Sequence, residues 1–98
     1  MIRITISDRG LRLDGHANCK NEHGNDLACA AVSALTVTLA MGLTNIAGED
    51  VNVLLDPGQT VIDWQKLSDT GKALVDTWFL GIEAINEQYK CITVNTDP

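Results

Sequence analysis

A chain of 98 residues, 45% of them hydrophobic, has apolar material for one small core near the size at which burial becomes marginal, so residues 1–98 are expected to form a single domain. The net charge of −6 speaks against a nucleic-acid-binding face, which needs clustered basic residues to meet phosphates. It suits a basic protein as substrate or partner, although acidic balance is also an ordinary route to solubility.

Ile2, Ile4 and Ile6 alternate with Arg3, Thr5 and Ser7, the period of a strand with one buried face. Asp8-Arg9-Gly10 supplies turn chemistry, after which Leu11 and Leu13 alternate with Arg12 and Asp14. The spacing predicts a β-hairpin whose second strand delivers Gly15 and His16 at its end. Residues 18–25 carry no apolar period and several turn formers, which predicts a loop. Loops held between rigid elements often carry binding function.

Asp26 is a favoured N-cap, and a first helix is expected from about Leu27 to Ala47 with Gly48 as its stop. No residue from Leu27 to Gly48 is charged, a length that reaches that of a membrane span. Ser33, Thr36, Thr38, Thr44 and Asn45 lower its hydrophobicity, and strand-like segments flank it, so a core helix is expected and no membrane partner. A helix apolar nearly all round must be covered on two sides. The sheet covers one side. The second helix, a second copy of the chain, or both would cover the other, which predicts a homodimer; the alternative is a monomer in which the second helix does all the covering.

Val51, Val53 and Leu55 alternate as a third strand, Asp56-Pro57-Gly58 is a turn, and Val61 to Trp64 reads as a fourth strand. Ser68 or Asp69 caps a second helix with the stripe Leu74, Trp78, Ile82, Ile85 and Tyr89. Its aromatic residues read as core rather than as a cofactor box. Ile92 and Val94 suggest a short closing strand, with residues 95–98 as a frayed tail. The order β-β-α-β-β-α-β predicts an α/β two-layer sandwich, a mostly antiparallel sheet with two helices on one face.

The three cysteines, at 19, 29 and 91, do not read as a disulfide framework, and no basic-plus-apolar leader precedes the first strand. A reducing cytoplasm is expected, with Cys91 an inert core thiol. Cysteine and histidine together can make a nucleophile served by a general base. If Asp26 caps the helix, Cys29 falls in its first turn, where unpaired N–H groups and the helix dipole favour a thiolate. The dipole supplies only about 0.3–1 kcal/mol, and the charge of Asp26 opposes it, so the pair depends on His16 reaching Cys29. His16 would then take the thiol proton, and the Cys29 sulfur would attack a peptide carbonyl to give a tetrahedral oxyanion and a thioester that water hydrolyses. The N–H groups of Cys29 and Ala30 are candidate oxyanion donors. An Asp26 carboxylate bonded to the Cys29 N–H would leave that task to Ala30 or to the loop. Asp26 reads as a cap or as a third catalytic member, and Ser33, one turn beyond Cys29, as a wall of the site or as a hydroxyl bonded back to its own helix.

His16, Cys19, His23 and Cys29 are also soft or borderline ligands of the kind tetrahedral zinc accepts. The set lacks a close Cys-x-x-Cys pair and places its last member inside a helix, so neither a metal nor a cofactor is expected; a small zinc-stabilised interaction domain is the alternative.

Gly15-His16-Ala17 and Gly24-Asn25-Asp26-Leu27-Ala28-Cys29-Ala30-Ala31-Val32-Ser33-Ala34 resemble the Gly-His-Ala and the Gly-x-Asp followed by Cys-Ala-Ala-Val-Ser-Ala of the ribosomal-processing cysteine proteases, the Prp family. The resemblance extends over nearly the whole chain, including the opening hairpin, the element order and the size. It implies His16 as catalytic base and Cys29 as nucleophile, with Asp26 and Ser33 supporting the site. It further implies a homodimer that removes a short N-terminal extension from a large-subunit ribosomal protein precursor, cutting beside an aromatic residue while the loop closes over the peptide. Leu27-Ala28 departs from the bulkier aliphatic pairs common there, and Cys19 and His23 are additional reactive groups. A protease with another protein substrate would carry the same motifs. A non-catalytic partner of ribosome assembly, binding through the same groove, is the alternative that needs no thiolate.

Overall fold

The isoleucine alternation of the first strand is where the core starts. Ile2 and Ile4 are buried while Arg3 between them is exposed, so one face of the strand is committed to the interior from its first residue. The computed structural model describes residues 1–15, 22–56 and 58–97, the side chains of 22–26 excepted. Its elements are β1 (Ile2–Ser7), β2 (Gly10–Asp14), α1 (Glu22–Asn45), β3 (Val51–Asp56), β4 (Gln59–Trp64), α2 (Asp69–Tyr89) and β5 (Ile92–Thr96). This is the expected element order.

The strands form one sheet in the order β3-β4-β2-β1-β5. β1–β2, β2–β4 and β3–β4 are antiparallel, and β1–β5 is parallel. Registers such as Ile6↔Leu11↔Ile62↔Val53 line residues up on one face, because side chains directly opposite in a ladder share a side of the sheet. That face and both helices enclose a single core to which Ile4, Leu11, Ile62, Leu43, Trp78 and Ile82 contribute. Removing each such side chain from water is worth about 1.5–3 kcal/mol.

The differences from the sequence expectation concern element ends. α1 stops at Asn45 rather than at about Ala47. β4 begins at Gln59, so it starts before Val61. β5 continues to Thr96, since Asn95 and Thr96 stay in register with Thr5 and Ile6. The N–H of Asp97 donates to the Ile6 carbonyl at 2.7 Å. Residues 95 and 96 are therefore strand rather than tail, held by main-chain bonding that needs no apolar pattern. The last difference is the start of α1 at Glu22, which takes in residues 22–25 of the expected loop.

α1 packs its inner positions, Ala28, Val32, Thr36, Leu39 and Leu43, into the core. Leu27–Asn45 is long and apolar enough to cross a membrane by length and composition, but here it is the central helix of a two-layer sandwich. Its approach to α2 is close: a Cβ at Gly81 would stand 2.5 Å from Leu35 Cδ2, so any larger residue there would push the helices apart. A buried polar pair fixes the contact, with the Trp78 indole N–H donating to Thr36 Oγ1 at 3.1 Å and the Thr36 hydroxyl donating to the Val32 carbonyl at 2.7 Å.

α2 has ordinary ends. Ser68 is its N-cap, its Oγ accepting from the Gly71 N–H at 3.1 Å. Cys91, just after α2, is 1% exposed and disulfide-bonded, which corrects the expectation of a free core thiol. Its partner lies outside the described residues. The 3.0 Å approach of its sulfur to the Tyr89 carbonyl is then a contact without S–H donation. Disulfide geometry requires Cα atoms within about 7 Å, a condition set by the fold and not by sequence spacing.

Candidate active site

The hairpin of β1 and β2 brings the chain to Gly15, whose backbone takes φ 93°. A Cβ there would lie 2.7 Å from the Met1 carbonyl oxygen, so both the conformation and the space require glycine. The Gly15 N–H donates to the Gly58 carbonyl at 2.9 Å, which fastens the end of β2 to the turn between β3 and β4. Beside it, Gln59 Nε2 donates to Asp14 Oδ1 at 3.4 Å, and Arg12 Nε donates to Asp14 Oδ2 at 2.8 Å. Both members of that Arg12–Asp14 pair are substantially exposed and lie on the same strand, so it adds little stability; the Gln59–Asp14 bond is the one that ties β2 to β4.

Against these strand ends lies the N-terminal half of α1, and between them is a cleft of about 360 Å³. Gly15, Leu55, Asp56 and Gln59 wall it from the sheet side, and Cys29, Ser33 and Val37 from the helix side. Cys29 is half-buried and lies outside any disulfide. Ser33 is exposed and one turn on, so its hydroxyl and the Cys29 thiol face the same space. A half-buried thiol beside an open cleft can receive a peptide carbonyl for nucleophilic attack.

The structure thus brings together Cys29, Ser33 and Gly15, the residue that precedes His16. His16 itself and the loop residues Cys19 and His23, as well as the Asp26 side chain, lie outside the described residues or side chains. The backbone of Asp26 is inside α1, so Asp26 is not the N-cap. An N-cap residue lies just before the helix, whereas α1 begins at Glu22. For the same reason the N–H groups of Cys29 and Ala30 belong to the helical ladder, bonded to carbonyls four residues earlier. They are not spare oxyanion donors in this conformation. Among the described residues no group of three His, Cys, Asp or Glu side chains is placed to hold a metal.

Sequence reading missed the β3–β4 contribution to the cleft. Asp56-Pro57-Gly58 is legible as a turn, but only the strand order, which seats β4 beside β2, places it opposite Cys29. The Thr36–Trp78 bond, which holds the rotation of α1 two turns beyond Cys29, left no motif at all.

A family model for the cysteine protease Prp matches residues 1–93. The chain belongs to the Prp family of cysteine proteases. Solved structures agree with it over the full length. A Prp described as the essential ribosomal processing protease of S. aureus, in complex with a covalently linked product peptide, is 24% identical and superposes with a TM-score of 0.81 over 99% of this chain and 100% of that one. The same S. aureus protein with a substrate peptide gives 23% identity, with a TM-score of 0.81 and coverage of 99% and 100%. SMU.848 from Streptococcus mutans is 28% identical, with a TM-score of 0.82 over 98% of this chain and 96% of that one. No curated protein matches the chain. The fold of this Prp is therefore the two-layer α/β sandwich that these structures share, and its chemistry is that of a cysteine protease.

Proposed function

We propose that this Prp removes the N-terminal extension from a large-subunit ribosomal protein precursor, with Cys29 as nucleophile and His16 as general base. The observation that carries the reading is the placement of Cys29 on a cleft whose opposite wall includes Gly15, the residue that precedes His16 in the sequence. His16 takes the proton from the Cys29 sulfur, which attacks the scissile carbonyl; the imidazolium then gives that proton to the leaving amine. A water deprotonated by His16 hydrolyses the thioester and frees the new carboxylate. The reaction needs no cofactor and no metal.

Asp26 is one turn before Cys29 on α1 and supports the imidazolium by its charge. Ser33 supports the bound peptide from the next turn. The unbonded amides of α1 are in its first turn, so oxyanion donation by Cys29 and Ala30 requires those turns to open. The S. aureus Prp bound to substrate and product peptides supports a peptide substrate, and the net charge of −6 favours a basic precursor. The site of action is the cytoplasm, where ribosomal precursors are made.

The protein acts as a homodimer through the outward face of α1. Leu27, Ala34, Thr38 and Met41 fall on that face by helical spacing, with Leu27 56% and Met41 57% exposed. An apolar groove of about 410 Å³ continues it between Thr38, Met41, Leu74 and Thr77. Met41→Lys is expected to shift the protein to monomer in sedimentation velocity while leaving it folded.

The deciding experiment incubates the extended ribosomal precursor with wild type, Cys29→Ala and His16→Ala and reads the product masses. Cleavage by wild type alone supports the reading. Cleavage by Cys29→Ala removes Cys29 from its role, and binding without cleavage by all three proteins assigns the chain to a non-catalytic partner.

A further inference from the structure

The two edges of the sheet are finished differently. On β5 the exposed side chains are polar, Thr93, Asn95 and Thr96. On β3 they include Val53, Leu54 and Leu55, which are 41%, 45% and 52% exposed. β3 pairs residue for residue with β4, from Val51↔Trp64 to Asp56↔Gln59, and among the described residues it has no strand on its other side. Every second residue therefore turns its N–H and C=O outward. Neither lysine nor proline occurs within Val51–Asp56, and no bulge breaks its register, so among the described residues these protections of an open edge are absent.

The edge leads to the thiol. Its last residues, Leu55 and Asp56, line the same cleft as Cys29. Val53 and Leu55 lie opposite Ile62 and Thr60 on the helix-facing side. Ser33 and Val37, four residues apart on α1, line the cleft together with Leu55, whereas Thr38 and Met41, on the outward face, border the groove between α1 and α2.

Charge selects the occupant. Between Glu49 and Gln65 the only charged residues are Glu49, Asp50, Asp56 and Asp63. A second copy pairing edge to edge would bring two such acidic sets together, with Asp50 of one strand near Asp56 of the other. A peptide carrying basic residues meets them with opposite charge.

We propose that the substrate binds as a sixth strand on β3. An extended stretch a few residues from the cut bond pairs its main chain with the outer edge of Val51–Asp56. Its alternate apolar side chains lie over Val53 and Leu55, beside Ser33 and Val37, and its flanking basic residues face the carboxylates. β3 has six residues, about 20 Å of edge at the usual strand rise. Main-chain pairing then supplies affinity, and the side chains on one face supply selection. The inference rests on the peptide-hydrolysis reading and says where the rest of the peptide lies.

The test uses the Cys29→Ala protein and fluorescent peptides spanning the N-terminal extension and cleavage site of the ribosomal precursor, each N-methylated at one residue, with binding read by anisotropy. Two or three alternating positions on one side of the cut site are expected to weaken binding about tenfold each, the loss of one main-chain hydrogen bond, while the intervening positions change it less than about twofold. Val53→Lys is expected to weaken binding of the parent peptide and leave the rate of Cys29 alkylation by iodoacetamide unchanged. Equal tolerance of N-methylation at every position overturns the proposal. So does a Val53→Lys protein that turns monomeric with peptide affinity unchanged, which assigns the edge to a second copy. Alternating losses in binding with the parent peptide left uncut by wild type would keep the docking mode and remove the hydrolysis reading instead.

Discussion

α1 and α2 lie side by side on one sheet and are similar in length, 24 and 21 residues, but they face their surroundings in opposite ways. α2 buries Trp78 and Ile82 and turns Lys72, Asp76, Glu83 and Glu87 to water. α1 has no charged residue after Asp26 and exposes Leu27, Val37 and Met41. An exposed face without charge is poorly matched to water. α2 is committed to holding the fold, whereas α1 carries the half-buried thiol of the cleft and leaves an uncharged outer side exposed.

Substitutions can break that division or sharpen it. Cys29→Ala on α1 is expected to lower kcat/KM by about 10⁴-fold or more with the denaturation midpoint unchanged; equal loss of stability would make Cys29 a structural residue. Ile82→Ala on α2 is expected to do the reverse. It empties a site that is 0% exposed, costs about 2–5 kcal/mol in urea unfolding, and leaves kcat per folded molecule near wild type. Thr36→Val lies at the junction of the helices and strands the Trp78 indole N–H, at a cost of about 1–3 kcal/mol. Because Thr36 also lines the cleft, this is the variant expected to move both stability and KM. Ser68→Ala removes the α2 cap and costs about 1 kcal/mol, readable as a small drop in thermal midpoint with no kinetic change.

The sequence made the element order and the face of each strand legible, because alternation in Ile2, Ile4 and Ile6 and the stripe through Trp78 and Ile82 are properties of the backbone period. It made Cys29 and Ser33 legible as neighbours, because one helical turn separates them. The start of α1 was not legible. A cap such as Asp26 is worth only about 1 kcal/mol, too little to stop a helix whose preceding residues can continue the ladder. Asn95 and Thr96 were missed because a strand held by main-chain bonding carries no side-chain pattern. Leu55, Asp56 and Gln59 were missed as cleft residues because strand order is a long-range property, and so was the disulfide of Cys91.

The parallel pairing of β1 with β5 joins the second residue of the chain to the ninety-second. No local folding event can make that pair, since the cost of closing so long a loop falls due before the contact repays it. The hairpin of β1 and β2 is local and can form early, yet β1 keeps one side open until β5 reaches it. Ile2, which pairs with Ile92, also lines the cleft of Cys29. The strand that carries this part of the cleft wall is thus seated by a partner ninety residues away in sequence, so the cleft depends on a contact that only the assembled sheet supplies.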